Sequence, residues 1–178
     1  MNNIIIILTV IISLVNCGES YAGGTRYKIA VYFSSNVISD NNVPTYTLLL
    51  KTPFGNEGQC MHVWQVPRPS VSMNYNKPMY DFYIEDKEEL LSCNGSDKFN
   101  VWRYDILKAG SVVSSGSFKF LHNPHNYGGV SIQSNSDSVL KAYCLTDKTD
   151  SNNSRISEDC LNKSITGFIE KISIVINI

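Results

Sequence analysis

Alternation of apolar residues with a period of two is the feature that most narrows what this chain can fold into. From Phe99 to Leu107, Trp102, Tyr104 and Ile106 fall in one phase, and Val101, Arg103 and Asp105 fall in the other. That spacing sends successive side chains to opposite faces of a strand and leaves no helical stripe. The pattern recurs at Tyr27, Ile29, Val31 and Phe33, and again at Tyr46, Leu48 and Leu50. Phe118 and Phe120 are in phase within Ser111 to Leu121, and Lys108-Ala109-Gly110 joins that run to the one before it as a β-hairpin.

Further strands are expected at Gln59 to Val66, with Cys60, His62, Trp64 and Val66 on one side, at Met79 to Ile84, at Val130 to Gln133 and at Val139 to Thr146. The final run, Ile165 to Ile178, would put Phe168, Ile172, Ile174, Ile176 and Ile178 on one face, with no tail or anchor after it. Ser70 to Pro78, His122 to Gly129 and the polar stretch Asp147 to Leu161 read as loops. Only Glu85 to Leu91 has helical character, two turns at most, and its charges read as a solvated face. About eight or nine short strands without βαβ alternation predict an all-β fold, an antiparallel β-sandwich, with a β-barrel or β-trefoil as the alternative.

The start of the chain sets the compartment. Ile4 to Val15 is apolar apart from Thr9 and Ser13, shorter than the roughly 20 residues of a spanning helix, and Ser20-Tyr21-Ala22 offers small residues for a signal peptidase. Residues 1–22 are therefore expected to be a secretory signal peptide and 23–178 a single disulfide-stabilised β domain, without a membrane span. Met1-Asn2-Asn3 lacks the usual basic start, and Leu14-Val15-Asn16-Cys17 has the outline of a lipoprotein box, so the alternative to a secreted protein is a bacterial periplasmic protein or a surface lipoprotein acylated at Cys17. A domain of this length buries roughly 70% of its unfolded surface, which one core can do.

Export leaves Cys60, Cys93, Cys144 and Cys160, an even set that predicts two structural disulfides. Three pairings are open, and proximity in sequence favours Cys60 with Cys93 and Cys144 with Cys160. Asn94, Asn152 and Asn162 each begin an Asn-x-Ser acceptor for N-glycosylation in a stretch read as loop. Lys and Arg (15) nearly balance Asp and Glu (16), which gives no general basic surface for nucleic acid or anionic lipid.

Residues with the chemistry for catalysis are sparse. His122 and His125, three apart in a turn, are weak zinc candidates, with His62 or a carboxylate to complete a shell, but a solvent-exposed loop is the preferred reading, and no metal or cofactor is assigned. Cys60 and His62 could share a strand face, although a half-cystine is the simpler role for Cys60. Asp81, Glu85, Asp105 and Glu170 could supply a glycosidase pair, and nothing singles out two of them. Asp147, Asp150 and Asn152 only loosely resemble a calcium loop.

Two aromatic, polar stretches stand out instead. Tyr75, Asn76 and Tyr80, with Arg68 before them, and Tyr127 in the later loop have the Tyr, Asn and Arg chemistry of recognition surfaces, although the tyrosines could equally cap the ends of a sandwich. The expectation is a secreted, non-enzymatic binding protein using loops 67–78 and 122–129 on an extracellular glycan or protein. The alternatives are a secreted protease inhibitor presenting Pro67-Arg68-Pro69 and, less favoured, a small hydrolase using His122 or His125.

Overall fold

The computed structural model describes residues 25–34, 46–53, 58–64, 66, 68–87, 93, 97–123, 129–135 and 138–178. Residues 1–22 with Cys17, and also Pro67, Asn94, His125 and Tyr127, lie outside them. Two sheets pack face to face without closing into a barrel, the β-sandwich the alternation predicts. The first sheet runs in the spatial order β11 (Arg155–Asp159), β10 (Leu140–Thr149), β12 (Ile169–Asn177), β1 (Arg26–Ser34), β6 (Met79–Asp86), β4 (Met61–Trp64). The second runs β5 (Ser70–Asn74), β2 (Tyr46–Lys51), β7 (Lys98–Lys108), β8 (Ser111–Asn123), β9 (Gly129–Gln133), and β3 (Gly58–Gln59) also pairs with β7. All pairings are antiparallel except β1 with β12, which run parallel from Lys28 opposite Lys171 to Ser34 opposite Asn177.

There are twelve strands among the described residues, more than the eight or nine expected, because short or polar strands hide in the sequence. Gln59 to Val66 is not one strand: Cys60 has φ of 54°, which interrupts the pleat between β3 and β4. Ser70 to Asn74, read as loop, is an edge strand that buries Val71 and Met73. The polar stretch after Asp147 folds back as β11, an edge strand whose charges are matched by Lys148–Glu158, Lys163–Asp159 and Arg155–Glu170 ion pairs. Glu85 and Asp86 end β6 and do not begin a helix.

The last strand shows how a bulge resets phase. Ile172, Ile174 and Ile176 are fully buried as expected, but the β10–β12 register slips between Leu145 and Thr146, so that Ile169 turns inward and Phe168 is left 63% exposed. Ile178 is also largely outside the core, at 36% exposed.

Between the sheets, Phe82 of β6 meets Trp102 of β7 at a 4.3 Å centroid distance, and Trp102 stacks toward Phe118 of β8 at 6.2 Å. Each is at most 1% exposed, so each contributes on the order of 2 kcal/mol of burial. Cys60 pairs with Cys93 and Cys144 with Cys160. From Cys160 the chain crosses between the sheets as a strap along the free edge of β9. Ile132 N–H donates to Cys160 O at 3.0 Å, Asn162 N–H to Ile132 O at 2.7 Å, and Val130 and Ile165 exchange two bonds of 2.9 Å. At Asn162, in the left-handed region with φ of 55°, Oδ1 accepts from Ser134 N–H and Nδ2 donates to Ser134 O, both at 3.0 Å.

The β7–β8 hairpin contains a position that accepts no side chain. Gly116 lies opposite Tyr104, and a Cβ there would overlap the buried phenol ring, which covers the glycine. Gly116→Ala should therefore destabilise the domain by roughly 1–3 kcal/mol, as overpacking does. Thermal denaturation checks this, and an unchanged melting temperature would mean the ring can move aside freely.

Candidate functional site

The β5–β6 connection is a preformed turn. Asn74 Oδ1 accepts from the N–H groups of Asn76 and Lys77, both at 3.0 Å, and Asn74 and Lys77 exchange backbone bonds of 3.1 Å. Asn is suited to this because its short side chain can reach the backbone two and three residues on. The turn raises Tyr75, 73% exposed, beside exposed Asn76. Tyr80 is different: half-buried, it packs on the core from β6, with Lys77 Nζ 5.6 Å from its ring centroid. The turn thus joins Tyr75, Asn76 and Tyr80 in one neighbourhood.

Arg68 does not belong to it. It precedes β5, whereas Tyr75 follows, and a strand of that length separates the two by about 20 Å. The residues that flank the second expected loop are also elsewhere. Asn74 pairs with Thr47 near the Lys108 end of β7, while the β8–β9 loop springs from Asn123 and Gly129, beyond the Lys98 end. The anchors of the two loops therefore stand at opposite ends of the sandwich and do not form one face. Their separation is a matter of sheet register, which no local pattern in the sequence encodes.

His122 corrects an expectation. It is not a solvent-exposed loop residue: it occupies β8 in phase with Phe118 and Phe120, and is 5% exposed. Its Nδ1 lies 2.8 Å from Asp86 Oδ2, and Lys98 Nζ lies 3.5 Å from the same oxygen. Neither His122 Nδ1 nor Asp86 Oδ2 has a partner in hydrogen-bond geometry, so the contact is a close approach and not a directed hydrogen bond. Asp86 is 2% exposed and Lys98 1%, so the charged stretch at Glu85 is not wholly a solvated face. The strand phase explains this: Asp86 continues Phe82 and Ile84, Lys98 precedes Asn100 and Trp102, and His122 follows Phe120. Each inner face ends in a polar residue, and the three meet at Asp86, with the Tyr27 ring centroid 5.6 Å from that of His122. Among the described residues no three His, Cys, Asp or Glu side chains converge on a point that could hold a metal.

The other catalytic candidates are separately occupied. Cys60 is a half-cystine, so no thiol faces His62. Asp81 meets Lys28 at 3.4 Å, Glu85 meets Arg26 at 3.3 Å, Asp105 meets Lys51 at 2.7 Å, and Glu170 pairs with Arg155. Asp150 Oδ1 accepts the N–H groups of Asn152 and Ser154 at 2.8 and 2.9 Å, capping a turn.

Sequence reasoning did not find a polar cleft of about 200 Å³ where β3, β4 and the end of β6 meet. His62, Arg68, Lys87 and Asn100 line it. The His62 pKa lies below the ordinary 6.5, first because burial disfavours the imidazolium, then because Lys87 repels it; Glu85 opposes this and Arg68 adds to it. The two cations are far apart in the sequence, and only the β4–β6 pairing places Lys87 beside His62.

The chain matches no protein family model, and no curated protein or solved structure matches it. The fold and its two ends therefore define it only as a disulfide-linked β-sandwich. Among the described residues no helix is long and apolar enough to cross a membrane.

Three groups with shifted pKa values give a pH dependence of definite sign. His62 binds its proton less tightly folded than unfolded, and Asp105 and Asp159 are held below 3.8, each chiefly by a side-chain bond from a lysine, Lys51 and Lys163 respectively. At these groups unfolding takes up protons in both windows, so the stability they contribute is complete above pH 6.5 and falls on acidification. The His62 contribution is lost as pH drops from 6.5 toward its folded pKa, and the aspartate contribution below about pH 4. In melting curves across this range, His62→Gln should flatten the upper step alone. An unaltered upper step would assign it to another group.

Proposed function

We propose that this is a secreted, non-enzymatic binding protein that recognises an extracellular glycan or protein through the β5–β6 turn. The observation that carries the reading is Tyr75: a large aromatic ring left mostly in water on a turn already held by four hydrogen bonds. A preformed turn loses little conformational entropy when a ligand covers it, and tyrosine supplies contact area with only two side-chain torsions. Asn76 adds polar contacts at the same tip, and Tyr80 with Lys77 forms its base. Two disulfides are compatible with an oxidising compartment, and residues 1–22 supply the export signal in this reading. Tyr127 belongs to a separate loop, and its contribution is tested separately.

On a glycan array and a panel of extracellular proteins, the purified protein should bind a ligand that Tyr75→Ala binds at least tenfold more weakly, with the melting temperature unchanged. Loss through Tyr127→Ala alone would move the site to the other end. If neither variant affects binding, the recognition surface is not these loops.

Exported from a eukaryotic host, the chain should carry glycan at Asn152, which sits in an exposed turn. Asn162 should carry none, because a sugar on its Nδ2 would displace the donor to Ser134 O. Glycopeptide mass spectrometry decides this, and full occupancy of Asn162 in a protein of undiminished stability would refute the structural role given to its amide.

A further inference from the structure

We infer that the end of the sandwich beside the β7–β8 hairpin holds a second binding site, one that takes a medium-length alkyl chain ending in a carboxylate. It goes beyond the role given to the β5–β6 turn, because Tyr75 does not line it.

Three observations support it. The first is a gap between the sheets. At the His122 end, the inner faces close on one another through Asp86 and Lys98. At the Lys108 end they enclose a cleft of about 540 Å³, within the roughly 300–1,000 Å³ of small-molecule sites. Tyr46, Ile106 and Val113 line it from the second sheet, and Val139 and Ile178 line it from the strand ends of the first. Backbone bonds hold this second wall, from Asn177 N–H to Val139 O at 2.8 Å and from Ile178 N–H to Ser34 O at 3.1 Å.

The second is the state of the apolar lining. Ile106 is 2% exposed, but Val113 is 53% exposed and Ile178 36%. Covering such side chains with hydrocarbon is favourable, and a chain lying between two apolar walls is itself removed from water. The hairpin's own geometry produces the arrangement. Ile106 lies opposite Ser114 and Leu107 opposite Val112, so Val113 is the extra residue of a bulge. Neighbouring residues of a regular strand point to opposite faces, and the bulge lets Val113 and Ser114 line the same cleft.

The third is the polarity of the rim. Lys108, Ser114 and Ser138 border the cleft, all three exposed and all able to donate a hydrogen bond, and no Asp or Glu side chain lines it. Among the described residues Lys108 has no carboxylate partner. Its Nζ lies 5.6 Å from the Tyr46 ring centroid, and Asp105, the acid of the same strand, is held by Lys51 at 2.7 Å. One cation and two hydroxyls beside an apolar cleft are the complement of a carboxylate head on a hydrocarbon tail.

The test is an NMR titration of the purified protein, below the micelle concentration of each probe, with decanoate, decanol, decyltrimethylammonium and acetate. Decanoate should produce saturable shifts of the Val113, Val139 and Ile178 methyl groups. Decanol should bind more weakly, and decyltrimethylammonium and acetate should not bind at the same concentrations. Lys108→Gln, at an exposed position, should weaken decanoate binding roughly threefold or more, the scale of one exposed ion pair, and leave decanol binding unchanged. Val113→Ser, also at an exposed position, should weaken both. The inference is overturned if decanoate gives no saturable shifts, if any of the other three probes binds as tightly, or if either variant binds decanoate like the parent. Loss of decanoate binding in Tyr75→Ala would also overturn it, because the turn and not the cleft would then hold the chain.

Discussion

The structure depends on the meeting of two apolar sheet faces, and the rings of Trp102 and Phe82 meet across them at a centroid distance of 4.3 Å. Phe82 belongs to one sheet and Trp102 to the other, so neither face is buried unless both sheets are assembled. Interlocked rings of this size tolerate little displacement, since packed interiors are as dense as organic crystals. The positions of the remaining elements follow: strands flanking β6 and β7 must bring their inner residues into the same layer. The ends of that layer must then be closed by groups able to meet water or each other. Asp86, Lys98 and His122 close one end by meeting each other, and removal of one partner from such a set is costly because a buried charge is left alone.

A sandwich also has edges, and this one treats them unequally. The β11 edge carries alternating charges matched by lysine and arginine, which discourages another chain from pairing there. The β9 edge is covered by the strap from Cys160 to Ile165. Because the Cys144–Cys160 disulfide anchors the strap to β10 and the Asn162 amide fastens it to Ser134, this short segment links both sheets. A sequon that reads as a surface acceptor is thereby part of the framework, and the difference lies in a backbone conformation, φ of 55° at Asn162, that the triplet does not reveal.

Much of the fold was legible in the chain because burial on one face imposes alternation. Trp102, Tyr104 and Ile106, Phe118 and Phe120, and Ile172, Ile174 and Ile176 each share a phase in the sequence, and all are at most 2% exposed. Phase failed where the backbone departs from the regular pleat. The left-handed residue at Cys60 divides one run into two strands, and the bulge in the β10–β12 ladder trades Phe168 for Ile169. It also fell short at polar edge strands such as β11, whose sequence resembles a loop because only one side meets the protein. His122 was readable in principle. Extending the Phe118–Phe120 phase by one step places it inside, whereas the neighbouring Asn123-Pro124 has the composition of a turn.

The candidate sites were less legible, for a reason that applies to β proteins generally. A strand carries its two ends about 3.3 Å per residue apart, so residues close in sequence can be presented at opposite poles, as Arg68 and Tyr75 are. Conversely, β4–β6 pairing unites His62 with Lys87, and β3–β7 pairing brings Gly58 to Asn100, across gaps that no local motif spans. Tyr75 could be found because an exposed aromatic in a turn is a local property. A cleft assembled from register is nonlocal, and its lining of His62, Arg68, Lys87 and Asn100 comes together only once the sheets have paired.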